Sequence, residues 1–386
     1  MADARSSSRV AAFWRSRNEP DEGGSAAVMG AGYEFPVSRG VGTSGGTGAA
    51  SRLPHCGDRY PLEEPTVPLD DPTTALLAQL AQLGAPPLAS QTPEQMRAAA
   101  QGAGLSPTAP PMHRVHDLQV PTDDGATVPV RLLVPVEHPD GLLVYLHGGG
   151  WVFGGIEGFE QVGRELAART GLAVAVVAYR LAPEFPHPTP LADAWSAVSW
   201  LSEQAAGLLG VDGPLVVAGD SAGATLATVV ARRAAATDGP RIAAQVLVYP
   251  AVDHAMDTNS YLDPQNQLLV DAAAMAVLWD HYVPDHVERS HPDVSPLRAD
   301  DLGGLPPTIL ATAEFDVLRD EGEAYADRLA EAGVTVLRRR FEGQMHGFFT
   351  LVDLLPASPQ ALDWIATGLR DLLDLPPVAP IGDPRD

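Results

Sequence analysis

Lysine is absent from all 386 residues, and each of the 25 basic side chains counted as Lys or Arg is an arginine. The lysine that grips phosphates in a P-loop therefore has no candidate. Cysteine occurs once, as Cys56, which excludes an intramolecular disulfide framework and a cysteine-ligated zinc site. There is no run of 18 apolar residues, so no spanning helix is expected. The apolar stretch at 10–14 is hemmed by Arg9, Arg15 and Arg17 and does not form the apolar segment of a secretory signal. A cytoplasmic protein with no membrane partner is expected. Basic charge is scarce: 49 acidic residues against 25 basic ones leave a formal charge of -24. Residues 1–66 hold 8 acids and 7 arginines, so the excess belongs to the remainder. An acidic body repels nucleic-acid phosphates and anionic membranes and disfavours anionic substrates, and it also serves solubility.

What is present suits one large α/β domain, because 45% hydrophobic residues can build a sizeable core. Residues 1–66 are rich in Ser, Gly, Pro and Arg without apolar periodicity and are expected to be a disordered, dispensable extension, with the folded domain at 67–386. After the acidic pair Asp70 and Asp71, the residues Leu76, Leu77, Leu80 and Leu83 recur at helical spacing. Thr92-Pro93-Glu94-Gln95 reads as a capping box opening a second helix. Strands are expected at 113–120 and 126–134, joined by the turn at Thr122-Asp123-Asp124-Gly125. From residue 142 onward strands at 142–146, 172–178, 215–218, 243–249, 308–313 and 334–340 alternate with helices such as 161–169 and 191–204. That rhythm implies a mostly parallel sheet covered on both faces. The two early helices (about 67–112) and an interruption at about 251–300, with a helix near 268–281, are expected to form a helical cap.

At the centre, the apolar run Leu215-Val216-Val217-Ala218 enters Gly219-Asp220-Ser221-Ala222-Gly223 and then an alanine-rich helix. Gly-x-Ser-x-Gly alone is a weak signal, but strand, turn and helix around it are the context of a nucleophile elbow. His147-Gly148-Gly149-Gly150-Trp151 closes another strand with three glycines, whose amides can approach and converge on an anion. His281, His286 and His291 are spaced by five residues, which does not place two ligands on one helical face, and no metal is expected.

These two motifs occur together with Tyr179-Arg180-Leu181-Ala182-Pro183-Glu184, the stretch from Asp316 to Gly322, and His346-Gly347-Phe348. In order and spacing they resemble the hormone-sensitive-lipase-like family of α/β hydrolases over about residues 67–375. The resemblance implies the α/β-hydrolase fold and a cofactor-free serine carboxylesterase acting on short to medium acyl esters. It implies Ser221 as nucleophile, His346 as general base and then acid, and Asp316 as the carboxylate orienting the imidazole. The amides of Gly148, Gly149 and Ala222 would form the oxyanion hole, which His147 would shape. Asp220 would stabilise the elbow, and Arg180 and Glu184 would pin loops. Trp151 and Phe348, beside Phe153 and Phe349, are candidates for the substrate pocket, although core packing explains them as well. Asp320 and Glu321 sit where a first helical turn attracts acids. An amidase or lactonase with the same triad, and a binding protein that has lost hydrolysis, are the rival readings; a homodimer is the candidate assembly.

Overall fold

The computed structural model describes residues 68–100, 105–210 and 213–378. The extension at 1–66 lies outside them, as does Glu19–Val67, the smaller of the chain's two units. The described residues all belong to the larger unit.

Two helices come first, α1 (Asp71–Gln82) and α2 (Pro93–Ala100). The Asp70 carboxylate caps α1 by accepting from the Thr73 amide at 2.8 Å. Leu76 and Leu80 are buried, whereas Leu83 has become the helix's exposed C-cap. At α2 the capping box forms both ways: the Thr92 amide donates to Gln95 Oε1 at 2.8 Å and the Gln95 amide to Thr92 Oγ1 at 3.3 Å.

The eight strands are β1 (Arg114–Pro121), β2 (Thr127–Val134), β3 (Leu142–Leu146), β4 (Ala173–Val177), β5 (Leu215–Asp220), β6 (Ile242–Val248), β7 (Thr308–Phe315) and β8 (Val336–Met345). They form one sheet in the order β1-β2-β4-β3-β5-β6-β7-β8. Only the β1/β2 and β2/β4 pairs are antiparallel; the others are parallel. Strands β3, β4, β5 and β7 are buried at every position, because helices cover both faces. The period-2 alternation of side chains sends Leu142, Val144 and Leu146 into the core shared with α4 (Thr189–Leu209), α5 (Ala222–Ala236) and α8 (Arg319–Glu331). It sends Leu143 and Tyr145 to the opposite core, shared with α1, α3 (Ile156–Thr170) and α9 (Ala357–Leu373).

The segment after β6 carries α6 (Asn259–Leu262), α7 (Ala272–Tyr282) and several single 3-10 turns. Helix α7 starts later than its apolar pattern suggests, because the Asp271 carboxylate caps it by accepting from the Ala274 amide at 2.7 Å. Among the described residues no helix is long and apolar enough to cross a membrane. Parallel strands point their carboxyl ends at one edge, and β3, β5, β7 and β8 bring the motif-bearing loops there together.

Candidate active site

The elbow follows β5 directly. Ser221 has φ 53° and ψ -124°, a strained conformation for a residue with a side chain. Its flanks have to be glycine: a Cβ on Gly219 would lie 2.4 Å from the Gly223 backbone, and one on Gly223 2.0 Å from the Leu146 carbonyl. The Ser221 amide donates to the Val248 carbonyl at 2.8 Å, fixing the turn to β6. From the ends of β7 and β8 come Asp316 and His346. His346 Nδ1 lies 2.7 Å from Asp316 Oδ2, and Nε2 lies 3.0 Å from Ser221 Oγ. Asp316 is fully buried, and its other oxygen accepts from the Leu318 amide at 2.9 Å. A carboxylate on Nδ1 makes that nitrogen the donor and leaves Nε2 as an acceptor facing the serine hydroxyl.

The glycine turn corrects one expectation. The Gly148 amide does not open into the cleft, since it donates to Asp220 Oδ1 at 2.8 Å; the Tyr145 hydroxyl donates to the same oxygen at 2.7 Å. The parallel register that pairs Leu146 with Gly219 sets the residues beyond each strand side by side. Burial pushes the Asp220 carboxyl up to about 6. Instead, among the described residues, the amides of Gly149, Gly150 and Ala222 donate to no protein acceptor. Ala222 opens α5, where first-turn amides lack intrahelical partners and the helix dipole favours an anion. Gly149 and Gly150 adopt φ of 110° and 58°, and a Cβ on Gly149 would sit 2.1 Å from the Phe153 carbonyl. His147 braces the turn. Its Nδ1 donates to the Gly148 carbonyl at 2.7 Å, its ring stacks on Tyr179 at 4.4 Å, and the Tyr179 hydroxyl donates to the His147 carbonyl at 2.6 Å. Burial pulls its pKa down to about 4, so it stays neutral.

Trp151 and Phe348 are also placed differently from the pocket reading: both are 0% exposed. Trp151 stacks on Tyr282 at 4.2 Å and packs on Trp279 at 4.6 Å, both from α7, and Phe348 packs on Phe341 at 5.1 Å. They are core residues under the site. Phe349 is buried as well, and Phe153 only partly. Arg180 and Glu184 are loop ties, Arg180 to the buried Asp193 and to Asp124, Glu184 to Arg97. His286 and His291 lie near separate carboxylates, Asp280 at 3.7 Å and Asp293 at 4.0 Å.

The acids near Asp316 do more than answer a helix dipole. Glu321 is buried and accepts from the Val252 and Asp253 amides at 2.7 and 3.2 Å, holding the segment after β6 against the Asp316 loop. Burial pushes its carboxyl well above the usual range. Asp320 accepts from the Ser260 amide at 2.8 Å. Glu314 Oε2 accepts from the Gly343 amide at 2.7 Å, three residues before His346. Two supports have no sequence signal: Gln344 Nε2 donates to Asp70 Oδ2 at 2.8 Å, and the Asp70 amide donates to the Gly343 carbonyl at 3.1 Å. The N-terminus of α1 thereby props the histidine loop.

Comparison with known proteins agrees with this architecture. A family model described as alpha/beta hydrolase fold matches residues 143–350. Carboxylesterase NlhH of Mycobacterium tuberculosis is 34% identical over 306 residues, covering 78% of this chain and 96% of that protein. An ethyl acetate hydrolase of Pseudomonas putida is 35% identical, over 67% of this chain and 83% of its own. A solved thermostable esterase from Pseudomonas putida superposes with a TM-score of 0.75 at 34% identity, over 81% of this chain and 100% of that one. The strand order, the elbow after β5 and these matches lead to one assignment: the chain belongs to the alpha/beta hydrolases, in the hormone-sensitive-lipase-like group of serine carboxylesterases.

Proposed function

We propose that the protein hydrolyses small, mostly neutral carboxylic esters through an acyl-serine intermediate. Ser221 Oγ attacks the ester carbonyl while His346 Nε2 takes its proton, and Asp316 holds the imidazole tautomer and balances the imidazolium. The amides of Gly149, Gly150 and Ala222 receive the oxyanion, and the protonated His346 then delivers its proton to the leaving alcohol. Water, activated by the same imidazole, attacks the acyl-serine and returns the enzyme. The observation that carries this reading is the unbroken chain from Ser221 to His346 at 3.0 Å and on to Asp316 at 2.7 Å, beside amides that lack acceptors.

We read α1, α2 and the segment after β6 as a cap over the site, and acyl groups of about two to eight carbons suit such a covered site better than long chains at a lipid surface. The net charge of -24 disfavours anionic esters. The ethyl acetate hydrolase relative supports the short end of that range. A series of p-nitrophenyl esters of rising acyl length, run beside matching anilides and lactones, tests the reading. Turnover should peak at short to medium esters; comparable rates on emulsified long-chain triglycerides, or faster anilide cleavage, would overturn it.

A further inference from the structure

We infer that Arg97, on the cap helix α2, is a positioning residue for the oxyanion hole; this rests on the reading of the site given above. Helix α2 is eight residues long and buries one side chain, Met96, so packing alone anchors it weakly. A further attachment is the Arg97 guanidinium, which reaches the glycine turn. Nε donates to the Val152 carbonyl at 2.9 Å and Nη2 to the Ala182 carbonyl at 2.8 Å. Nη1 and Nη2 also hold both oxygens of Glu184, at 2.8 and 2.5 Å.

The two carbonyls are the ones that matter to the site. Val152 is buried, and its amide donates to the Gly149 carbonyl at 3.0 Å, as does that of Phe153. Gly149 is a residue whose own amide faces the developing oxyanion. Ala182 is buried too, and its amide donates to the Trp151 carbonyl at 2.9 Å. One planar cation therefore closes both exits of the turn 149–153 and ties them to the cap. Buried carbonyls without donors are costly, so a turn deprived of Arg97 has to move to find partners. The pair with Glu184 does not explain the arrangement by itself, because Glu184 is about half exposed, with 48% of its side chain accessible, and exposed ion pairs contribute little. A lysine could not replace the guanidinium, since a single ammonium lacks the fork that spans two carbonyls and a carboxylate.

Losing one oxyanion donor outright costs about 10² to 10³ in kcat, so letting the turn drift is expected to cost roughly 10- to 100-fold. The test compares Arg97→Ala, Arg97→Lys and Glu184→Gln on a p-nitrophenyl ester, with rates normalised to sites labelled by a phosphonate. Arg97→Ala should lose that factor in kcat with KM changed by less than about threefold. Its affinity for a trifluoromethyl ketone, which presents an oxyanion, should fall in parallel, while product alcohol binds unchanged. Added ethylguanidinium should restore part of kcat; Arg97→Lys should stay low, and Glu184→Gln should lose less than about threefold. If Arg97→Ala changes only KM or melting temperature at normal kcat, or if Glu184→Gln reproduces its loss, Arg97 is only a cap anchor. Should Arg97→Ala fail to fold, Arg97→Lys carries the same comparison. Absence of ester turnover by the unmodified protein would instead refute the esterase reading itself.

Discussion

Asp316→Asn is the substitution that most directly interrogates the site, because the structure dictates what the amide can do there. Asp316 commits both oxygens, Oδ2 to His346 Nδ1 at 2.7 Å and Oδ1 to the Leu318 amide at 2.9 Å. An asparagine has one acceptor and one donor to offer in the same buried place. If its oxygen stays on the Leu318 amide, its NH2 faces Nδ1, the imidazole proton moves to Nε2, and the serine hydroxyl meets a donor. If it flips, two donors confront each other at Leu318, which costs about 1 to 3 kcal/mol, or roughly 5- to 150-fold. The unproductive tautomer is thus the favoured one. The imidazolium also loses a charge partner worth about 4 kcal/mol at an effective dielectric of 20. The worked serine-protease example, a different protein, loses about 10⁴ in kcat from the same change. A loss of roughly 10² to 10⁴ is expected here, measured as kcat on a p-nitrophenyl ester with folding checked by thermal melting. Glu314→Gln keeps an oxygen for the Gly343 amide and Asp320→Asn keeps one for Ser260, so each should lose less than about tenfold. If Asp316→Asn retains near-normal kcat while one of these neighbours abolishes it, the triad acid is misassigned.

Asp220 and His147 should oppose each other in acid. His147, depressed from 6.5 to about 4, withdraws roughly 3 kcal/mol of stability as pH falls between those values, whereas Asp220, raised from 3.8 to about 6, restores roughly as much over nearly the same interval. In urea unfolding, Asp220→Asn should therefore lose roughly 3 kcal/mol more than the unmodified chain between pH 6.5 and 4, and parallel curves would contradict the opposed titration of these two buried groups. Asp193→Ala leaves Arg180 the exposed Asp124 as its remaining carboxylate and should cost about 3 kcal/mol in the same assay; a loss below about 1 kcal/mol would show that Asp124 suffices. A chain beginning at Val67 should keep kcat/KM, while one beginning at Gly84, without the Asp70 and Thr73 contacts to Gln344, should lose more than about tenfold; equal activity would remove α1 as a support of His346.

The parallel interior was legible because buried strands have to be apolar throughout: β3 spans Leu142–Leu146, matching its expected bounds. At the sheet's edge the same logic fails. Strand β8 was expected at 334–340 and runs over Val336–Met345, through Arg338, Arg339, Arg340 and Glu342. An edge strand has a solvated side and a solvated rim, so its residues carry no apolar signature, and charges there even protect against unwanted pairing. Strand β7 extends to Phe315, past the acidic Glu314, for a related reason: the carboxylate of Glu314 is satisfied by the Gly343 amide. The aromatic residues were ambiguous on different grounds. Whether Trp151 faces a ligand or a core depends on Trp279 and Tyr282, more than a hundred residues later, and on the helix that delivers them.

The glycine turn shows where reading residues one at a time runs out. Gly148, Gly149 and Gly150 are chemically identical, and each could turn its amide into the cleft. What distinguishes them is a fourth residue on another strand. Asp220 is buried, a buried carboxylate needs donors, and the β3/β5 register places the Gly148 amide within 2.8 Å of it. With that amide taken, the glycines that follow are the ones free to face an anion. The acid between Gly219 and Ser221 thus works on the glycine turn as much as on the elbow that contains it, a division of labour that exists only once two strands lie side by side.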